Sequence, residues 1–261
     1  MRCDALRLSI GSMLLAISIF TLSNKQIDAA DAIPDNEFKT LVGQDAKHIQ
    51  AMIELGGKGG TANISKASRA IKASSIMLAA YAQSRMKGGA ADAQLATLRD
   101  TALKIAAAGK NFKTAAPLAK TLAYDMTAAA KANSKKMTYA NMVSAASAEM
   151  DDLMFQFKKT TIGGLGIEAE IKEQCKKSTL TAEQVKAIGQ RVLIVADYCD
   201  VMVPAVGFNA KNPKANWDGF NADMKKAATE LVAAADKKGP ALQKAFDKLD
   251  RSCVACHDKF K

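Results

Sequence analysis

From residue 35 onward, apolar residues recur every three or four positions, and no stretch of any length alternates strictly between apolar and polar. That is helical periodicity, and it predicts an all-α chain. The pattern marks helices over 35–56, 63–86, 92–108, 113–133, 138–159, 181–202 and 218–237. A last helix is opened by Pro240 and runs to the end of the chain, and a shorter helical piece covers 168–177. Gly56-Gly57, Gly88-Gly89, Gly109 and Gly163-Gly164 supply the stops. Asn63 is placed to cap the second helix, and Pro117 to sit in the first turn of the fourth, where proline is tolerated. Thr181-Ala-Glu-Gln184 has the form of a capping box.

The eight long helices divide into two sets of four with matching stretches. Ile71-Lys-Ala-Ser-Ser-Ile-Met-Leu-Ala-Ala-Tyr81 lies over Ile188-Gly-Gln-Arg-Val-Leu-Ile-Val-Ala-Asp-Tyr198, and Leu103-Lys-Ile-Ala-Ala-Ala108 over Thr229-Glu-Leu-Val-Ala-Ala234. Short connections and one apolar stripe per helix fit two tandem four-helix bundles, 33–135 and 136–261, meeting near 134–137 where Ser134-Lys135-Lys136 interrupts the pattern. The alternative is that any two alanine-rich helical halves align this well. In the last helix the stripe is Leu242, Phe246, Leu249, Cys253, Cys256 and Phe260.

Residues 1–32 break the pattern. Arg2 and Arg7 precede an apolar run over 10–22, shorter than the roughly 20 residues of a membrane span. Ala30-Asp31-Ala32 then fits a small-x-small cleavage site. This reads as a secretory signal peptide, with an uncleaved anchor as the alternative, and it predicts a periplasmic mature chain without an integral membrane segment. The net charge of +11 favours acidic partners. Nucleic acid is not expected as a partner, because the chain is exported and its lysines are scattered through helices among Glu and Asp.

The chemistry is concentrated at the C-terminus. Cys253-Val-Ala-Cys256-His257 is a Cys-x-x-Cys-His run, the attachment signature of c-type haem. On a helix these positions share one face, so two thiols a turn apart can each bond a vinyl group of one haem while the next imidazole ligates its iron. Two Cys and one His do not close a tetrahedral zinc site. A redox dithiol belongs in a βαβ setting, whereas this motif ends a long helix.

The tail resembles the C-terminus of cytochrome c′, Cys-x-x-Cys-His-x-x-(Phe/Tyr)-(Arg/Lys), with Phe260 and Lys261 in the last two places. Asn209-Ala-Lys-Asn-Pro-Lys-Ala-Asn-Trp217-Asp-Gly-Phe220 is similar to that family's loop before its third helix. The resemblance is good over 181–261 and weak over the preceding helix, in a family about half as long as this chain. It implies one covalent haem c in a cytochrome c′-type bundle preceded by a haem-free repeat. Superposing the stripes places Met126, Ala129 and Ala130, or one residue on Thr127, Ala130 and Lys131, where Cys253, Cys256 and His257 stand, and neither set holds haem. The resemblance further implies Trp217 and Phe220 at the haem edge, Lys261 beside the proximal face, and a residue of helix 138–159 over the open face. That helix offers Met142, Met150 and Met154, and Met150 is expected nearest the iron. In cytochrome c′ the open-face residue does not bond iron, while in the related c-556 type a Met there completes six-coordination. A five-coordinate iron is the expectation.

His48 reads as a solvated helix residue, with a second iron ligand as the alternative. Cys175 and Cys199 could pair in an oxidising compartment or remain as buried thiols. The expected function is single-electron transfer or binding of a small gas such as NO or CO, with a redox partner protein of acidic character and a homodimer as a possible assembly. The alternatives are a six-coordinate His/Met electron carrier and a sensory or scaffolding module whose haem-free half binds a partner. No distal His or Arg pair suited to peroxide is in view, so an enzyme is not expected.

Overall fold

The computed structural model describes residues 35–87, 92–122, 135–204 and 207–260. The signal-peptide reading, the Met126–Ala130 register and Lys261 therefore lie outside the described residues. Those described form ten α-helices and two 3₁₀ turns, with no strand among them. The helices are α1 (Asp35–Gly57), α2 (Thr61–Ser84), α3 (Asp92–Ala108), α4 (Phe112–Ala119), α5 (Tyr139–Ala146), α6 (Met150–Met154), α7 (Ile167–Gln174), α8 (Ala182–Cys199), α9 (Lys214–Ala233) and α10 (Pro240–Phe260). The fold class is all-α, as the periodicity indicates.

Several boundaries move for local reasons. Helix α2 starts before Asn63, because Gly59 and Gly60 both take positive φ and turn the chain early. Asn63 then lies inside the helix, its Nδ2 donating to the Gly59 carbonyl at 3.1 Å, instead of capping it. Asn111 caps α4, accepting from the Thr114 N–H, which puts Pro117 in the second turn and not the first. The capping box at Thr181 forms as read, with Thr181 and Gln184 bonding each other's backbone N–H. Helix α9 begins at Lys214, four residues before the expected start, directly after Pro213 in extended conformation.

The largest departure is the helix expected over 138–159. It breaks at Ser147, whose φ of 46° makes it the sole non-glycine residue with positive φ among the described residues. A short α6 follows, capped by reciprocal bonds between Glu149 and Asp152, and then the 3₁₀ turns Phe155–Phe157 and Thr160–Ile162. The broken segment lies along α2, held by side chains spaced three apart on one stripe. Lys66 Nζ donates to the Thr161 carbonyl (2.7 Å), Arg69 Nη2 to that of Asp151 (3.3 Å) and Lys72 Nζ to that of Ser147 (2.9 Å). Underneath, Gln156 Nε2 donates to the Ala73 carbonyl at 3.0 Å. Carbonyls that a continuous helix would bond internally are met here by another helix's cations.

Helices α1 to α4 close a ring, α1 on α2, α2 on α3, α3 on α4 and α4 back on α1. Helices α8, α9 and α10 pack in sequence, and α7 lies on α10. Helices α5 and α6 pack on α2 and also reach α8, while α2 itself touches α8. The larger apolar cluster therefore crosses residue 135. It joins Phe38, Ile76, Tyr81, Leu95 and Ile105 to Met142, Leu153, Ile194, Tyr198 and Trp217. A smaller cluster gathers Ile167, Val185, Val192, Leu231, Phe246 and Leu249. Gly189 sets the spacing of α8 on α9, since a Cβ there would lie 2.6 Å from a Val232 methyl.

Candidate functional site

Helix α10 carries the tail into the place where the two clusters meet. Leu242, Phe246 and Leu249 bury its stripe in the smaller cluster, and Cys253 continues that contact. One turn on, Cys256 and Phe260 pack against the larger cluster. Both thiols are half-buried on the inward side, and His257 is exposed at the rim. Burial pushes the Cys253 thiol up to about 11, and it raises that of Cys256. Both are thus protonated at neutral pH.

An aromatic nest closes around the end of α10. The Phe260 ring meets Trp217, Phe220 and Phe208 edge-to-face, with centroids 5.3, 6.2 and 6.4 Å apart. The loop is fixed to the helix end by Asn212 Nδ2, which donates to the Lys259 carbonyl at 2.9 Å. Asn209 Oδ1 accepts from the N–H groups of Lys211 and Asn212 and shapes the turn. Trp217 is buried, and its Nε1–H donates to the Cys199 carbonyl at 2.9 Å. Asn221 Nδ2 donates to the Ala196 carbonyl at 2.9 Å. The Cys199 carbonyl at the C-terminal end of α8 and the Ala196 carbonyl, which also accepts from the Asp200 N–H, are thus both met by α9 side chains. Lys225 Nζ bridges Asp197 (2.9 Å) and Asp200 (2.5 Å) on the outer side of the same junction.

Of the sequence-expected residues, the structure brings Cys253, Cys256, Trp217 and Phe220 to one end of the fold. Met150 is also near: its Sδ lies 3.9 Å from Cys199 Sγ. The three Met residues do not share one helix, because the break at Ser147 separates Met142 on α5 from Met150 and Met154 on α6. Met142 is fully buried in the larger cluster. Cys175 and Cys199 are both free thiols. Cys175 donates to the Ile171 carbonyl beside the smaller cluster, and Cys199 is buried in the larger one, so pairing would require moving α7 off its seat. Burial raises the Cys199 thiol far above its ordinary value, with Cys256 and Asp200 adding to the shift. The nearness of Cys199 to the tail, and Phe208 in the nest, carried no signal of spacing in the sequence.

His48 is half-buried, not solvated. Its Nδ1 lies 2.9 Å from Ser74 Oγ and its ring also bonds the Gly163 backbone, so it ties α1 to α2 and to the loop after the second 3₁₀ turn. Among the described residues no group of three or more His, Cys, Asp or Glu side chains could hold a bare metal ion. No helix among them is long and apolar enough to cross a membrane.

Residues 212–261 match the family model for cytochrome C'. The C-terminal part of the chain is therefore similar to that family of c-type haem proteins. The match spans the end of the loop, α9 and α10, and it does not extend to the first half of the chain. No curated protein and no solved structure gives a significant match. The donor set of the matched segment fits the haem that this family carries. Two thiols a turn apart face a seam between apolar clusters, and an imidazole follows on the next residue.

Proposed function

We propose that the chain is an exported haem protein of cytochrome c′ type, working in the periplasm by single-electron transfer or by binding a small gas such as NO or CO. Cys253 and Cys256 would hold one haem through thioether bonds, and His257 would ligate its iron. Such a haem supplies a reversible one-electron couple and an iron centre open to a diatomic ligand. The observation that carries the reading is the pair of inward thiols on α10, inside the segment that matches the family.

The protein's own contribution is apolar enclosure and orientation. Trp217, Phe220 and Phe208 pack about Phe260 and would exclude water from the haem edge. The α9 side chains at the end of α8 hold the wall opposite the thiols. Lys261 is proposed as a basic neighbour of His257. The surface of net charge +11 favours an acidic redox partner. We assign no catalytic residue and no nucleic-acid partner.

The six-coordinate reading is kept by one observation, the Met150 thioether beside Cys199 at the same end of the fold. The test is an absorption spectrum of protein matured in a haem-attaching host, ferric and ferrous, with and without CO. The expected result is one covalent haem by mass, lost when Cys253 and Cys256 are both replaced by Ala, with a high-spin ferric spectrum and direct CO binding. A low-spin ferric spectrum that turns high-spin in Met150→Ala would make His/Met electron transfer the function. Haem retained covalently in the double Cys variant would overturn the assignment.

A further inference from the structure

A cleft of about 580 Å³ opens between α1, the Leu165–Glu170 stretch and the first half of α8. It shares no residue with the Cys253–His257 tail, so what it binds is a question separate from haem. The volume suits a small organic molecule. Its walls are apolar, with Leu41, Leu165, Ile167 and Ile188 among them.

The polar groups in its floor are unevenly matched. Asp45 and Gln190 are buried at 0% and 1% exposure. Asp45 Oδ1 accepts from Arg191 Nη2 at 2.8 Å, but Asp45 Oδ2 and Gln190 Oε1 have no hydrogen-bond partner. Both unmatched atoms are acceptors. Among the charged groups of the lining, Arg191 bonds Gln156 and Asp45, Lys186 lies 3.9 Å from the exposed Asp236, and Glu170 accepts from Gln174 Nε2 at 2.8 Å. Glu183 is exposed and Glu170 half-exposed in the same lining, so its carboxylates outnumber its cations by three to two in a chain whose net charge is +11. A buried acceptor without a donor costs about 1–3 kcal/mol, and more when it is charged, and a ligand bringing N–H donors removes that cost.

We infer that this cleft binds a small organic cation, an amine with an apolar body, whose ammonium group donates to Asp45 and Gln190. The apolar walls take the hydrocarbon, and Glu183 attracts the charge on approach.

The test is a titration of the purified full chain followed by methyl NMR, with hexylammonium as probe and 1-hexanol and hexanoate as controls of equal length. Hexylammonium is expected to bind saturably and to shift the Leu165 and Ile188 methyls. Hexanol should bind roughly tenfold more weakly, as expected for loss of a charge-assisted hydrogen bond, and hexanoate should not bind. Gln190→Met should weaken hexylammonium by about tenfold without lowering the melting temperature, since it also removes the unmatched acceptor. Should that variant not fold, the exposed Glu183→Gln is expected to weaken binding and flatten its salt dependence. Hexanoate binding as well as hexylammonium, no binding of hexylammonium, or unchanged affinity in the folded variant would each overturn the inference.

Discussion

At the scale of single residues, the two halves of the chain are joined by polar groups that neither half could satisfy alone. Arg191 is buried at 6% exposure and reaches across to Asp45 on α1 and Gln156 in the first 3₁₀ turn. Burial would push Arg191 down, and the Asp45 carboxylate more than reverses this, so the cation persists. His48 stands one turn along α1 from Asp45. Its pKa is held below its ordinary 6.5, chiefly by burial and further by Arg191, against the opposing pull of Asp45 and the Gly163 carbonyl. The folded protein therefore binds this proton less readily than the unfolded chain. The His48 contribution to stability is complete above 6.5 and is lost as pH falls from there through the depressed folded value. Urea unfolding at about pH 7.5 and 5.5 is expected to show wild type losing more stability on acidification than His48→Gln. Equal losses would remove His48 from the pH response.

At the scale of elements, helix 138–159 shows how a good periodic pattern can be overridden. Its apolar spacing suits a continuous helix, but α2 presents Lys66, Arg69 and Lys72 to carbonyls of the broken form, and Ser147 adopts the left-handed conformation that makes the break. That conformation costs a non-glycine residue about 1–2 kcal/mol. Ser147→Gly is accordingly expected to stabilise the protein, by roughly 0.5–1 kcal/mol after glycine's greater unfolded-state entropy is set against the relief. A raised thermal midpoint would check it, and a lowered one would mean that the strain is not relieved at this position. Helices α8 and α9 depend on a small residue instead. Gly189→Ala brings a methyl against Val232 and the Ala228 carbonyl, and is expected to cost about 1–3 kcal/mol by chemical denaturation. Because α8 and α9 frame the tail, the same variant should also disturb the absorption spectrum of the proposed haem.

At the scale of the whole molecule, the larger core is shared across residue 135. Met142, Leu153, Ile194, Tyr198 and Trp217 pack in one cluster with Phe38, Ile76 and Tyr81, and the Tyr198 hydroxyl donates to the Ile76 carbonyl at 3.0 Å. Cutting the chain at 135 removes these partners from the apolar face of α2. The full chain is expected to melt in one cooperative transition, and fragment 33–135 to lose stability or cooperativity by circular dichroism. A fragment that melts as sharply and at the same temperature as the full chain would show that the first four helices need nothing from the rest.

The all-α class, six of the eight long helices, the capping box at Thr181 and the stripe of α10 with its two thiols were legible in the sequence alone. Each rests on local periodicity or on a capping rule that acts within a few residues. The pattern over 113–133, by contrast, gives a helix that ends at Ala119, and that over 138–159 one that breaks at Ser147. The break at Ser147, the free and separate Cys175 and Cys199, the half-burial of His48, the Phe208–Phe260 nest and the Asp45–Arg191 pair were decided by tertiary structure. Each depends on a partner from a distant helix, up to 146 positions away for Asp45 and Arg191. Periodicity tells which face of a helix is buried. It does not tell which helix covers that face, and hydrogen bonds between helices are settled only when that pairing is made.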